Sequence, residues 1–495
     1  MLFNSWPFLG FLAITFCLYH FIPWPVRSKV FLQIGVLTIA SYVFYAWHTP
    51  WLVFVLAAST WINAFATLKL LGRDATPEAR RAWVVSSVII NLAVLVVFKY
   101  ASLLVKSFFP ESVWSHWGFD FSQIPLPVGI SFFTFQGISL VVDVYRSGPE
   151  GIEGMRPPRD AGEARGLFVR MAFFKAFFPQ LVAGPIVKAH EFMHQIRPKG
   201  LGDVDWDDAT RKLILGFFLK MVVADNLREA TASLSYPAFV GLPGINLLFL
   251  LYGFSIQIFA DFAGYSLIAM GLARLFGYQL PVNFNFPYLS QSITEFWRRW
   301  HISLSTWLRE YLYIPLGGNR RGKIRTYINL IIVMLLGGLW HGAAWSYLVW
   351  GGAHGLLLAC ERLFSRSSGA IEPQKGRWGL HAVWVGVRVL VTFHVVTLLW
   401  LLFQLADIRE VWLFLKALFQ WKPGISAQPV FAIVLFSIPV VIYHLIAAFR
   451  DTAVDISVAR NPRLGRFATD GIYGVLLFLI VVNSGNSGAF IYFQF

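Results

Sequence analysis

Apolar residues run through this chain in blocks of about twenty, parted by short polar or basic stretches. A block of that length crosses a bilayer as one α-helix. The pattern predicts about twelve such helices, near 6–24, 30–49, 51–71, 84–107, 124–146, 213–233, 246–277, 326–343, 345–363, 380–405, 429–449 and 467–484. The stretch 167–189 is apolar but interrupted by Pro179, Gly184 and Pro185. Broken backbone at membrane depth needs protein or water around it, so a re-entrant or interfacial helix is expected there. Residues 147–166, rich in Gly, Pro and charge, read as a flexible linker.

The basic residues orient these helices. Arg27, Lys29, Arg73, Arg80, Arg81, Arg156, Arg159, Lys188, Arg197, Lys199, Arg211, Lys212, Arg362, Arg366, Lys375, Arg377, Arg450, Arg460, Arg463 and Arg466 fall in alternate connections. The other connections, such as "PESVWSHWGFDF", are poor in them. The basic connections are expected in the cytosol and both termini outside.

Composition removes the soluble alternatives. Of 495 residues, 57% are hydrophobic and 14% charged, against roughly 25% charged in soluble domains. The net charge of +15 fits loops meeting anionic lipid headgroups better than it fits nucleic acid. Cys17 and Cys360 lie far apart in apolar runs and suggest no redox motif. The first apolar block lacks a small-residue cleavage site and reads as a membrane anchor.

Residues 278–325 interrupt the membrane pattern. Ser292 and Glu295 form a capping-box spacing that starts a helix, and Pro315 and Gly317 end it. The expectation is one interfacial helix over 293–314. Phe296, Trp300, Trp307, Tyr311 and Ile314 share one stripe; Arg298, Ser305 and Arg309 share another. Arg298, Arg299, Arg309, Arg320, Arg321 and Lys323 are candidates to meet phosphates at the cytosolic face. "GGNRRGKI" nearly matches a phosphate-binding loop, but Ile324 stands where Ser or Thr would hold magnesium.

His341 ends the apolar run "MLLGGLWH" among Gly337, Gly338 and Gly342. An ionisable residue in a span is a functional candidate by default. A neutral imidazole takes a proton from an attacking hydroxyl, and the glycines would admit a substrate close to the backbone. The competing reading is a histidine bonded to a neighbouring helix. His301 and His354 are weaker candidates. Asp143, Asp225 and Asp261 are lone carboxylates expected to pair internally, Lys220 being one partner. "HEFMH" (190–194) matches the zinc-protease signature H-E-x-x-H, but no third ligand stands out and Pro185 and Pro198 leave room for about three turns. No metal is expected there.

"QSITEFWRRWHISLSTWLREYLYIPLGGNR" followed by "LLGGLWHGAAWSYLVWGGAHG" strongly resembles the membrane-bound O-acyltransferase family, bacterial alginate O-acetylation branch. The likeness extends to 126–146, 177–186, 260–278 and the terminal "FIYFQF". It implies an all-α polytopic membrane protein with 11–12 transmembrane helices and re-entrant or interfacial helices around a central funnel. A single domain would span 1–495: N-terminal helices to 146, a catalytic core over 167–363, and C-terminal helices from 380. The resemblance implies His341 and His301 as catalytic residues. Arg298, Arg299, Trp300, Arg309 and Arg320 would bind the donor, and Trp340, Gly338, Asp261, Tyr265 and His354 would line the substrate channel. It further implies acetyl-CoA as donor with no permanently bound cofactor, a periplasmic SGNH-hydrolase-like acetyltransferase as partner, polysaccharide assembly machinery nearby, and a bacterial inner-membrane location.

Leu267 departs from the alginate type, where Asp is usual, and resembles the D-alanine-exporting branch. The acceptor stays open among alginate, cellulose, peptidoglycan and other glycans. A transporter or flippase for a polymer or lipid intermediate is the competing function. The enzyme reading requires that His341 be reachable through protein-lined space from both faces of the bilayer.

Overall fold

The computed structural model describes residues 1–26, 28–72, 75–114, 124–365, 378–449, 462–486 and 490. Arg27, Arg73, Arg366, Lys375, Arg377, Arg450, Arg460 and the terminal motif beyond Phe490 lie outside them. So does most of the poorly basic connection quoted above. The helices are α1 (Trp6–His20), α2 (Lys29–Ala46), α3 (Val53–Leu70), α4 (Pro77–Leu95), α5 (Ala101–Phe108), α6 (Ile130–Arg146) and α7 (Ala161–Ala176). Next come α8 (Trp206–Phe217), α9 (Asp225–Ala230), α10 (Gly244–Leu275), α11 (Ile293–Arg299), α12 (Ile302–Leu308), α13 (Lys323–His341) and α14 (Trp345–Ser365). The last are α15 (Trp378–Gln404), α16 (Ile408–Gln420), α17 (Ala427–Phe449) and α18 (Pro462–Asn483). No strand occurs among the described residues.

The protein is an all-α, multi-pass membrane protein. Seven described helices are long and apolar enough to cross a bilayer, and two shorter apolar ones cover Trp6–His20 and Phe467–Asn483. Of the remaining expected spans, the one at 345–363 is the continuous 21-residue helix α14, and the others are shorter or broken helices. The block at 213–233, for instance, divides into α8, a wide π turn (Phe218–Ala224) and α9.

The chain forms two compact units, 1–213 with 266–281, and 214–265 with 282–495. In the first, Asn91 Nδ2 donates to Asn63 Oδ1 at 2.8 Å and Asn63 Nδ2 returns to Asn91 Oδ1 at 3.1 Å, tying α3 to α4. Amide pairs of this kind hold helices together where lipid offers no hydrophobic drive. After α7 the chain breaks at Phe177, and Phe178 N donates to Ser41 Oγ at 3.0 Å. Residues 171–189 are buried throughout, so this irregular backbone lies inside protein. The 147–166 stretch is not a free linker. Met155 is fully buried, its N–H donates to the Ile152 carbonyl at 2.9 Å, and Asp160 caps α7 through Gly162 and Glu163 N–H.

In the second unit α13 and α14 form a tight hairpin. A Cβ at Gly338 would stand 2.2 Å from the Tyr347 carbonyl oxygen, and one at Gly351 would stand 2.1 Å from that of Met334. Only glycine lets the two backbones approach this closely.

Candidate active site

Ser292 starts α11 as expected, its Oγ accepting from Glu295 N at 3.1 Å. Glu361, from α14, adds a second cap: its carboxylate accepts from the N–H groups of Ile293 and Thr294 and from Thr294 Oγ. The expected continuous helix over 293–314 is not formed. It breaks after Arg299, where Trp300 is extended and His301 takes a left-handed conformation at φ 43°. Residues 283–285 satisfy the freed backbone: Ile302 N donates to Asn283 O at 2.9 Å and Asn285 N to Arg299 O at 3.0 Å. Ser303 Oγ donates to Asn283 Oδ1 at 2.6 Å.

The break carries His301 into the interior. Its ring is fully buried, edge-on to Phe262 at 4.6 Å between centroids and 6.2 Å from His341. Burial holds its imidazole down at about 3, so it is neutral at physiological pH. His341, at the end of α13, is 3% exposed and ringed by Trp340, Trp350 and Phe403 at 5.1–5.3 Å.

His341 nevertheless lines a cavity of about 500 Å³. Leu330, Val333, Met334, Gly337 and His341, one face of α13, form its long wall. That wall runs about 16 Å along the helix axis at 1.5 Å per residue. Arg298, Ser305 and Arg309, the polar stripe read from the sequence, all reach it, joined by Arg362. The cavity lining is mostly apolar, with the guanidiniums of Arg298, Arg309 and Arg362 and with Asn319 of the basic connection at 317–325. The cavity gives one approach to His341, whose ring also packs against Trp340, Trp350 and Phe403.

The other donor and channel candidates do not line this cavity. Arg299 pairs with Glu295 at 2.7 Å, and Trp300 is fully buried against Phe296 and Trp400. Arg320 is exposed beside Asn319. His354 accepts from Trp297 Nε1 at 3.3 Å and lies off the cavity wall. Gly338 serves the helix contact, and it is Gly337 that faces the cavity. Asp261 is held with Asp225 by Lys220, each at 2.8 Å. Tyr265 is buried against Phe490.

The sequence reading missed Arg362 as a site residue and placed it only among loop charges. Thr294, Trp297 and Trp350 also line the cavity and were missed; Trp350 packs against His341 and His354, and Trp297 against His354.

The residues of "HEFMH" do not form one helical face. A single turn (Ala189–Phe192) passes into a 3₁₀ turn (Met193–Gln195), and His190 Nδ1 lies 2.8 Å from Asp143 Oδ2. Among the described residues no cluster of His, Cys, Asp or Glu is suited to a metal ion.

A family model, "MBOAT, membrane-bound O-acyltransferase family", matches residues 168–405. The chain is 36% identical over 430 residues to "Probable alginate O-acetylase AlgI" of Pseudomonas aeruginosa, covering 85% of this chain and 75% of that protein. The chain belongs to the membrane-bound O-acyltransferase family. It is also 34% identical over 439 residues to the "Peptidoglycan O-acetyltransferase" of Helicobacter pylori, covering 84% of this chain and 80% of that protein. The "Teichoic acid D-alanyltransferase" of Bacillus subtilis is 28% identical over 281 residues, 54% of this chain and 66% of that one. The protein is a membrane O-acyltransferase of the type represented by these alginate O-acetylases.

Proposed function

We propose that this O-acyltransferase takes acetyl groups from cytosolic acetyl-CoA and passes them across the bacterial inner membrane for O-acetylation of an extracytoplasmic polysaccharide. The observation that carries this reading is the cavity leading from Arg298, Arg309 and Arg362 along one face of α13 to His341. Guanidiniums suit phosphates. A narrow apolar passage suits an extended pantetheine arm, and a buried imidazole at its end suits an acyl transfer.

In the proposed step, His341 accepts the proton of the attacking hydroxyl as its oxygen bonds to the acetyl carbon. The carbon–sulfur bond breaks, and the departing thiolate receives a proton from the imidazolium. Transient acylation of the imidazole fits the same geometry. His301, neutral, packs beside it with the ring centroids 6.2 Å apart. The chain has no G-x-S-x-G elbow of its own. A periplasmic SGNH-hydrolase-like acetyltransferase, as the family resemblance implies, is proposed to complete transfer to the polymer. The names of the alginate and peptidoglycan relatives favour acetyl and a polysaccharide acceptor.

Proteoliposomes holding the full chain, supplied with labelled acetyl-CoA on the basic face and the partner with its polymer on the other, test this. Release of CoA with labelled ester on the polymer is expected. A transporter would leave acetyl-CoA intact, and that result would overturn the proposal.

A further inference from the structure

Acyl transfer at His341 creates a negative charge as well as moving a proton. As the nucleophile bonds to the acyl carbon, the carbonyl electron pair moves onto oxygen. Acyl-transfer sites hold that oxyanion with fixed hydrogen-bond donors. Two tryptophans line the cavity with His341, and their indoles differ. Trp297 Nε1 donates to His354 Nδ1 at 3.3 Å, so that donor is spent. Trp350 Nε1 has no partner among the described residues, although the residue is 1% exposed. Buried donors are nearly always satisfied, and an exception calls for an explanation. We propose that Trp350 is a catalytic residue, whose indole N–H donates to the acyl carbonyl oxygen and holds the oxyanion formed at His341. This rests on the acyl-transfer reading given above.

The rings around Trp350 leave its N–H for an incoming acceptor. Trp400 stacks on the indole at 5.6 Å and Phe403 lies at 5.5 Å, and neither side chain carries an acceptor. His354, at 4.9 Å, has its Nδ1 occupied by Trp297, so its Nε2 carries hydrogen and is a donor. On the cavity side stands His341, 5.2 Å away between centroids and nearly perpendicular at 87°. A thioester brought to the imidazole therefore meets the indole as well.

The hairpin fixes this donor before any substrate arrives. Gly351, the next residue, packs on Gly338 and the Met334 carbonyl, and His341 follows Gly338 on α13 by three residues. The close glycine contact thus sets the base and the donor against each other, and no reorganisation is needed when the charge appears. The step balances. The hydroxyl oxygen bonds to the acyl carbon, its proton goes to His341, and the carbonyl pair moves onto oxygen beside the indole N–H. The pair returns as the carbon–sulfur bond breaks, and the thiolate takes the proton from the imidazolium. The indole keeps its hydrogen throughout. Attack by the imidazole itself makes the same oxyanion, so the role holds on either route.

Trp350→Phe keeps a large ring and removes the N–H. In the proteoliposome assay described above, its kcat should fall by about a hundredfold while KM moves by less than about threefold. Its melting midpoint should hold, because no hydrogen bond within the protein is lost. Trp297→Phe breaks the bond to His354 and should lower its midpoint. Wild-type kcat in Trp350→Phe would overturn the role. So would a loss that comes with a raised KM or a fallen midpoint, since that makes the indole a packing element of the wall. If the unmodified protein releases no CoA, the acyl-transfer reading falls and this role with it. That outcome is distinct from an active protein indifferent to the substitution.

Discussion

His341 joins two properties that are costly to combine: it is almost wholly buried, yet it borders open volume. A side chain kept there for packing alone would be replaceable by a ring of similar size. His341→Phe and His341→Ala should both fold, with unchanged monodispersity in detergent, and both should lose acetyl transfer by at least about a hundredfold. Normal transfer by the phenylalanine variant would reduce His341 to a packing residue. His301 behaves differently with pH. Its folded value of about 3 lies below the ordinary 6.5, so the unfolded chain takes up a proton first as pH falls. Its contribution to stability is whole above 6.5 and declines towards 3. Thermal unfolding followed across that range should show a falling midpoint, and His301→Phe should flatten part of the fall.

Between residues and elements, the decisive feature is the break at Trp300–His301. Nothing local announces it: neither residue is a helix breaker, and the stripes on each side keep helical spacing. It forms because residues 283–285 supply partners for the interrupted backbone, a tertiary cause that no window of sequence contains. The start at Ser292 and the alignment of Arg298, Ser305 and Arg309 were legible because a local cap and a short-range period decide them. Arg362 was not, since only the α13–α14 hairpin brings it to the cavity. The hairpin also separates two neighbouring glycines that look equivalent in sequence. Gly338→Val should destabilise the protein by about 2 kcal/mol or more through overpacking against Tyr347. Gly337→Ala meets only the end of the Leu308 side chain at 3.1 Å. It should keep its melting midpoint and alter turnover, and a thermal scan of both variants beside an activity assay checks the contrast.

On the scale of the whole molecule, charge placement must serve both folding and direction. Lys220 holds two buried carboxylates, so Lys220→Met leaves them facing each other and should cost about 3–5 kcal/mol, read as a large loss of thermal stability. Direction follows from crossing parity. From the basic connection at 317–325 the chain runs through α13, α14 and α15, which cover three successive spans expected from the sequence, before α16 and the turn at Lys422. If the basic connection is cytosolic, as its arginines require, then Lys422 faces outward and the guanidinium mouth of the cavity faces the compartment that holds acyl-CoA. Cys17 and Cys360 are the chain's two cysteines. Replacing both with serine allows Lys323→Cys and Lys422→Cys to be labelled singly with a membrane-impermeant maleimide. In intact spheroplasts only the cysteine at 422 should react, and the one at 323 should react after permeabilisation. The reverse pattern would put the arginine mouth outside, where no CoA thioester could enter it.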